Sequence, residues 1–227
     1  MPRLRGPIAT RPEGDAAWAL LNGDLFGDAA IGGYRPEVRP EVLPLDWAQI
    51  FGRVAPLNLE IGFNRGRFLR SVATARPDED FIGVEVRRKF CWRLANLLGA
   101  DPAAPRNLRL IWADARRVTE SLLAPGSLHG IYINFPDPWW KRRHVSRRLV
   151  NLDFAKTLTG LLAPDGAIHV KSDVPAIADE IAEALAAMPE LASPVPFSAD
   201  DLPPSHRETV CMRQGLPIVR YRVARRG

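Results

Sequence analysis

Short apolar runs alternate with helical patterns along most of this chain. The apolar runs predict buried strands over residues 57–62, 81–86, 108–113, 130–135 and 167–171. The stretches between them have apolar residues at helical spacing and predict helices over residues 68–75, 89–98, 148–162 and 176–188, the last with Pro175 at its first helical position. Strands that alternate with helices imply right-handed crossovers and a parallel sheet covered on both faces.

The two ends of the chain depart from this alternation. Residues 1–45 are rich in proline, glycine and charge, and predict an irregular N-terminal extension in front of one main domain over residues 46–227. Near the other end, residues 209–212 and 218–223 flank a Gln-Gly-Leu-Pro stretch without room for a helix between them. They predict an antiparallel hairpin. The expected fold is therefore α/β, with a mostly parallel seven-stranded sheet, a C-terminal antiparallel hairpin and helices on both faces.

The sequence offers no sign of a membrane or of an oxidising compartment. It has no run of about 18 apolar residues, and the basic first residues have no apolar stretch behind them. Cys91 and Cys211 have neither the density of a disulfide scaffold nor the clustering of a zinc site. We therefore expect a cytoplasmic protein that does not contact membranes, in which both cysteines are packing residues.

Positive charge is concentrated in one segment. The formal net charge is +5 and the pI is about 9.7, which favours polyanionic partners. Without the five cations between positions 141 and 148 the net charge of +5 would fall to 0; these are Lys141, Arg142, Arg143, Arg147 and Arg148. A second group of cations lies near the end of the chain, at Arg220, Arg222, Arg225 and Arg226.

Acidic residues and glycines lie at or just beyond the carboxyl ends of the first three predicted strands. Ligands of parallel sheets bind beyond the carboxyl ends of the strands, so these positions are expected to lie together. Glycines there let backbone N–H groups approach a ligand, an acid after the second strand can accept both hydroxyls of a ribose, and an acid after the third suits an adenine amino group. The candidate cofactor residues are Glu60, Gly62, Asn64, Gly66, Glu85 and Asp114.

The pattern favours S-adenosylmethionine over a dinucleotide as the cofactor. The glycines do not form the Gly-x-Gly-x-x-Gly fingerprint of dinucleotide sites. An acid within the first strand, Glu60, also suits a methionyl amine better than a pyrophosphate. A Gly-rich turn taken alone is more often an ordinary turn, so the prediction rests on the acids at three successive strand ends.

The fourth predicted strand runs into the sequence Asn-Phe-Pro-Asp-Pro-Trp-Trp-Lys-Arg-Arg-His-Val-Ser-Arg-Arg over residues 134–148. Two prolines hold Asp137 at the strand end, Trp139 and Trp140 offer flat faces for stacking a base, and the cations can track phosphates. The segment resembles that of the bacterial tRNA (guanine-N7-)-methyltransferase family, which has a nearly identical Phe-Pro-Asp-Pro-Trp sequence followed by Lys and an Arg-His-x-x-Arg-Arg run. Read without the resemblance, it could be a turn, core tryptophans and a solvated helix start.

The resemblance implies a Rossmann-like methyltransferase fold and transfer of a methyl group from S-adenosylmethionine to N7 of a guanine, at position 46 in the variable loop of tRNA. It implies that Asp137 is catalytic and contacts the donor. Substrate contacts are expected at Lys141, Asp173, Ser205 and Glu208, and RNA contacts at Arg142, Arg143, His144, Arg147 and Arg148.

Asp173 has a second interpretation, and Ser205, Arg207 and Asn64 depart from the family pattern. Asp173 precedes Pro175 and is equally suited to cap the next helix. The Ser-His-Arg-Glu sequence at 205–208 stands where the family has Thr-x-x-Glu, with Arg207 at a place where an aromatic residue is common. Asn64 replaces a glycine of related methyltransferases, and asparagine tolerates left-handed geometry better than most residues do.

The chemistry needs no strong base, because guanine N7 carries an in-plane lone pair and no proton. An aspartate can accept hydrogen bonds from guanine N1–H and N2–H and stabilise the charge that develops on the ring, and we expect this role for Asp137. No metal is expected, since the four histidines show no ligand spacing. The partner is expected to be tRNA, and the chain a monomer or homodimer.

Two other functions fit the same residues. The Asp-Pro-Trp-Trp segment also resembles the Asp-Pro-Pro-aromatic segment with which other methyltransferases orient an exocyclic amine of a base. A non-catalytic RNA-binding module that has lost donor binding would explain the cations over residues 141–148 and the presence of Asn64. The methylated product separates the first alternative, and a titration with S-adenosylmethionine separates the second.

Overall fold

A seven-stranded sheet forms the centre of the computed structural model, which describes residues 10–13, 18–21, 44–138 and 148–226. The strands are β1 (Leu57–Ile61), β2 (Asp80–Val84), β3 (Leu108–Ile111), β4 (Leu128–Asn134), β5 (Leu162–Ser172), β6 (Val195–Pro196) and β7 (Val219–Ala224). The helices are α1 (Trp47–Phe51), α2 (Arg67–Ala75), α3 (Arg88–Gly99), α4 (Ala115–Ser121), α5 (Leu152–Leu161), α6 (Pro175–Ala186) and α7 (His206–Arg213), with a 3₁₀ turn at Ala199–Asp201.

The strand order is β3-β2-β1-β4-β5-β7-β6. Strands β1 to β5 are parallel, whereas β7 is antiparallel to both β5 and β6. The order reverses between β1 and β4, and a crevice opens at such a switch point beyond the strand ends. The predicted α/β fold and its five parallel strands are confirmed.

Helices cover the sheet in two layers. One core combines α1, α4, α5 and α6 with strand residues such as Leu59, Ile131 and Ile168. The other combines α2 and α3 with the alternate strand residues, among them Phe81, Leu110 and Tyr132. Because successive strand residues point to opposite faces, both faces of the sheet are buried and the polar residues collect at the strand ends.

Two predicted elements differ in the structure. Residues 209–212 belong to α7 and not to a hairpin strand, so β7 finds its antiparallel partners in β5 and β6 instead. Ser205 and Glu208 form a capping box that starts this helix. The helix predicted from residue 148 begins at Leu152, because Asn151 caps it by accepting a hydrogen bond from the Phe154 N–H.

Part of the N-terminal extension packs on the domain. Leu20 forms a parallel bridge with Leu110, and the Trp18 ring lies 4.4 Å from the Arg106 guanidinium carbon. Asn96 of α3 donates a hydrogen bond to the Thr10 carbonyl. The domain boundary at residue 45 stays a prediction. Within the described ranges, every helix is too short or too polar to cross a bilayer.

Candidate active site

Glu60 lies at the end of β1 with its side chain almost fully buried. Its Oε1 accepts a hydrogen bond from the Asn134 amide at 2.9 Å, whereas Oε2 has no partner within the described chain. Burial raises the pKa of Glu60 and the hydrogen bond from Asn134 offsets only part of this rise, which leaves the pKa at about 8. A buried acceptor without a partner is costly, so this oxygen is suited to receive an N–H donor or a cation.

The loop from Gly62 to Gly66 turns sharply before α2. Gly62, Asn64 and Gly66 have φ angles of 76°, 52° and 67°, all in the left-handed region. A Cβ at Gly66 would collide with Leu94, while a Cβ at Gly62 would meet nothing within 4 Å. Asn64 therefore adopts the geometry that the sequence suggested it could tolerate, and the surface above Gly62 is open.

Glu85 follows β2 and is buried, with both carboxylate oxygens engaged. Oε1 accepts hydrogen bonds from the Arg87 backbone N–H and Nε, each at 2.9 Å. Oε2 accepts from the Asn64 N–H at 2.9 Å and from Arg87 Nη2 at 3.3 Å. Arg87 was not among the residues proposed from the sequence. Its side chain is 45% exposed, and a ribose whose hydroxyls bound Glu85 would take the place of the Arg87 guanidinium.

Asp114 follows β3 and caps α4 by accepting a hydrogen bond from the Arg116 N–H at 3.0 Å. The register pairs Glu60 with Gly83, and Val84 with Ile111. Glu60, Glu85 and Asp114 therefore lie at the same edge of three adjacent parallel strands, as the sequence predicted.

The strand β4 ends beside these acids. Phe135, directly after Asn134, has a φ of 53°, which is unusual for a bulky residue, and its N–H donates to the Lys171 carbonyl at 2.7 Å. Asp137 follows and is exposed. Burial lowers the pKa of Arg87, but its hydrogen bond to Glu85 and the charges of Glu85 and Asp137 outweigh this effect and raise the pKa. Asp137 thus acts electrostatically on the same guanidinium as Glu85.

The basic segment, defined as residues 141–148, is described only at its end. Lys141, Arg142, Arg143, His144 and Arg147, like Trp139 and Trp140, lie outside the described residues, so their roles stay predictions. Arg148 donates from Nε to the Pro138 carbonyl at 3.2 Å and pairs with Glu180 of α6. This arginine therefore connects the Asp137 loop to a helix, in addition to any contact with RNA.

Asp173 does not cap the helix after β5. The N-cap of α6 is Val174, without a side-chain hydrogen bond, while Asp173 accepts from Arg207 Nε at 3.1 Å and from Arg207 Nη2. This hydrogen bonding raises the pKa of Arg207. The Asp173 side chain is 15% exposed and the Arg207 side chain is 49% exposed. The helix-cap interpretation is wrong, and the contact of Asp173 with the substrate stays a prediction.

Ser205 and Glu208 are both buried at the start of α7. Glu208 accepts from Lys171 Nζ at 2.8 Å and from Arg220 at 2.9 Å, and its side chain is 1% exposed. Ser205 accepts from the Glu208 N–H at 3.1 Å. Sequence reasoning missed Lys171, although a lysine at the end of an otherwise apolar strand was the available signal. The predicted substrate contacts of Ser205 and Glu208 are untested. In the structure Ser205 caps α7, and Glu208 links α7 to β5 and β7 through Lys171 and Arg220.

No cluster of histidine, cysteine or acidic residues that could hold a metal occurs in the described part of the chain. The ring of His169 stacks on Tyr132 with 5.0 Å between centroids, and burial lowers its pKa to about 4. His169 is therefore a neutral packing residue at physiological pH. Cys91 and Cys211 are both buried, as expected of packing residues.

Comparison with known proteins gives a consistent result. A family model described as "Putative methyltransferase" matches residues 54–210. A protein of Synechococcus sp. (strain JA-3-3Ab), named tRNA (guanine-N(7)-)-methyltransferase, is 37% identical over 192 residues, which cover 81% of this chain and 78% of that protein. A protein of the same name from Burkholderia cenocepacia is 39% identical, over 86% of this chain and 73% of that protein. Another from Paraburkholderia xenovorans is 43% identical, over 64% of this chain and 55% of that protein.

Solved structures share the fold at low sequence identity. The 16S rRNA methyltransferase KamB superimposes with a TM-score of 0.59 at 13% identity, over 80% of this chain and 93% of that one. A second structure is a mutant of the 16S rRNA (adenine(1408)-N(1))-methyltransferase from Catenulisporales acidiphilia, solved with its cosubstrate SAM. It superimposes with a TM-score of 0.54 at 15% identity, over 84% of this chain and 93% of that one. These similarities show a shared methyltransferase fold.

Proposed function

The chain belongs to the family of bacterial tRNA (guanine-N7-)-methyltransferases, and from this premise we propose that it methylates N7 of a guanine, at position 46 in the variable loop, of tRNA. The observation that carries the proposal is the common sheet edge at which Glu60, Glu85 and Asp114 meet the Asp137 loop. Parallel α/β sheets bind ligands at this edge.

The residues present fit S-adenosylmethionine. Glu60 keeps an unpartnered buried oxygen that suits the methionyl amine, and the open surface at Gly62 leaves the backbone accessible. Asn64 and Gly66 shape the loop, Glu85 offers its carboxylate to the ribose, and Asp114 suits the adenine amino group. When bound, this cofactor supplies an electrophilic methyl group on a sulfonium ion.

Asp137 orients the guanine. It is exposed at the end of β4, where its carboxylate can accept hydrogen bonds from N1–H and N2–H of the base. Those hydrogen bonds strengthen as positive charge develops on the ring, so the carboxylate stabilises the transition state more than the ground state. Because N7 has no proton to lose, positioning is the main requirement.

The remaining predicted contacts complete the proposal. We expect Lys141, Asp173, Ser205 and Glu208 to contact the substrate nucleotide, and the basic segment, which includes His144, to contact phosphates. Asp173 would exchange its Arg207 partner for the nucleotide. The enzyme acts in the cytoplasm, as a monomer or homodimer that needs no membrane.

The test is incubation of the purified protein with unmodified tRNA and methyl-labelled donor, followed by nucleoside analysis. We expect 7-methylguanosine as the labelled product. Asp137→Ala should lower turnover by orders of magnitude while the melting temperature changes little, because the lost contact is with the reacting base. Label found only on exocyclic amines would move the chain to another methyltransferase class. The absence of donor binding would leave a non-catalytic RNA-binding module.

A further inference from the structure

The beginnings of α2 and α7 converge at one buried lysine. Lys171 Nζ lies 5.5 Å from the centroid of the Phe68 ring in the first turn of α2. The same Nζ donates to Glu208 in the first turn of α7, at 2.8 Å. Both helices therefore reach the edge of the sheet at the end of β5, close to Asp173.

Exposed cations flank this junction. Arg65 and Arg67 stand on either side of Gly66 at the start of α2, and Arg213 lies in the last turn of α7. All three are exposed, and none forms an ion pair with any residue that the structure describes. Burial lowers the pKa of His206, and the charges of Arg65, Arg67 and Arg213 lower it further, so all three cations lie within electrostatic reach of one imidazole.

This arrangement does not serve the stability of the helix. The first turn of α2 contains no acidic residue, and positive charge at a helix N-terminus opposes the helix dipole. Like charges gathered without counter-ions also repel each other. A polyanion would remove both unfavourable effects.

We propose that Arg65, Arg67 and Arg213 form a second phosphate-binding surface for the RNA substrate, here called the α2–α7 surface. Arg67 belongs to α2, in the helix layer of α2 and α3, and Lys171 joins the start of α7 to Phe68 of that layer. Arg148, at the end of the basic segment, pairs instead with Glu180 of α6 in the opposite layer. The RNA backbone would then be held on both sides of the nucleotide that reaches Asp137. This inference rests on the proposed function and adds to it a second surface that contacts the RNA.

The test compares two double variants that each remove two positive charges. Arg67→Gln/Arg213→Gln changes the α2–α7 surface, and Arg117→Gln/Lys156→Gln removes exposed cations of α4 and α5, which belong to the opposite helix layer. Affinity for unmodified tRNA is measured by filter binding between about 0.05 and 0.5 M salt. Donor affinity is measured by calorimetry, and thermal unfolding checks the fold.

The first variant should reduce the magnitude of the slope of log affinity against log salt by about 2, one for each phosphate contact. If the affinities converge near 1 M salt, this corresponds to about 100-fold weaker binding at about 0.1 M. The matched control should keep the wild-type slope. Donor affinity should stay unchanged in both variants. The melting temperature of Arg67→Gln/Arg213→Gln should not fall, because the removed charges oppose the dipole of α2 and repel each other.

Other results would overturn the inference. Unchanged tRNA affinity and salt slope in Arg67→Gln/Arg213→Gln, with wild-type methylation intact, would refute the α2–α7 surface and leave the proposed function standing. A loss of donor affinity in this variant or in Arg65→Gln, at constant tRNA affinity, would assign the cations to the donor's carboxylate instead. A wild-type chain that neither binds nor methylates tRNA would overturn both proposals.

Discussion

Replacing Glu60 with glutamine tests the donor site through a carboxylate whose pKa lies near neutrality. Burial raises this pKa to about 8, and the nearby charge of Glu85 adds to the rise, so the protein without donor holds Glu60 largely protonated at pH 7. A methionyl ammonium placed against the unpartnered Oε2 would favour the ionised form. Donor binding should therefore release a proton from Glu60.

The expected size of the pH effect on donor affinity follows from the pKa of Glu60. Below about pH 8 the ionised fraction of Glu60 falls about ten-fold per pH unit, so donor affinity should fall about ten-fold from pH 7 to pH 6. The donor's amino group, with an ordinary pKa of about 7.7–8.0, loses its charge equally for both proteins. The ratio of wild-type to Glu60→Gln affinity therefore isolates the carboxylate.

Ionisation of Glu60 should have the opposite effect on the stability of the donor-free protein, because it favours donor binding but destabilises the fold. The pKa of Glu60 in the folded protein is raised above its ordinary value of 4.5. Its contribution to the free energy of unfolding is therefore fully present below about pH 4.5 and is lost as pH rises through about 8. Glu60→Gln cannot ionise, so it should be more stable than wild type at pH 8, by up to a few kcal/mol, with a smaller difference at pH 5.

Calorimetric titration with S-adenosylmethionine between pH 6 and 8.5, in two buffers of different ionisation enthalpy, measures both affinity and proton release. Glu183→Gln, which changes an exposed carboxylate of α6, is the matched control and should behave as wild type. The reasoning fails if the affinity ratio of wild type to Glu60→Gln does not depend on pH, or if no proton is released between pH 6 and 7.

Two further predictions concern buried charge and backbone geometry. Glu208→Gln leaves Lys171 buried without its carboxylate, so unfolding should become easier by about 3 kcal/mol, or roughly 10 °C in melting temperature, as measured by urea and thermal denaturation. Unchanged stability with a large loss of turnover would assign Glu208 to the substrate alone. Asn64→Ala should cost about 1 kcal/mol in urea denaturation because φ is 52°, whereas Asn64→Gly should be nearly neutral. Equal costs for the two variants would contradict a conformational role.

The strands and the acids at their ends were predictable because each depends on local pattern. Apolar runs fixed the positions of β1 to β5, and in a parallel sheet the residues that follow each run must share one edge. Glu60, Glu85 and Asp114 therefore came together from sequence alone. The left-handed loop at Asn64 was also predictable, since the surrounding glycines indicate the turn.

Features that depend on distant partners were not predictable. The helix over residues 206–213 is a different case, because the Ser-x-x-Glu capping box at 205–208 is a local signal of a helix start that outweighs the strand-like apolar pattern of residues 209–212. The pairing of Lys171 with Glu208, and of Asp173 with Arg207, joins positions more than 30 residues apart. No local pattern could reveal those pairs, because the topology alone brings them together.

The order of strands in the sheet has a consequence for the growing polypeptide on the ribosome. Because β7 inserts between β5 and β6, neither β5 nor β6 finds this neighbour until residues 219–224 have been synthesised. At translation rates of about 5–20 residues per second, the roughly 50 residues that follow β5 keep its edge open for about 3–10 s. An uncovered edge strand pairs readily with other chains, so nascent or prematurely terminated products should be the forms of this protein that chaperones must shield.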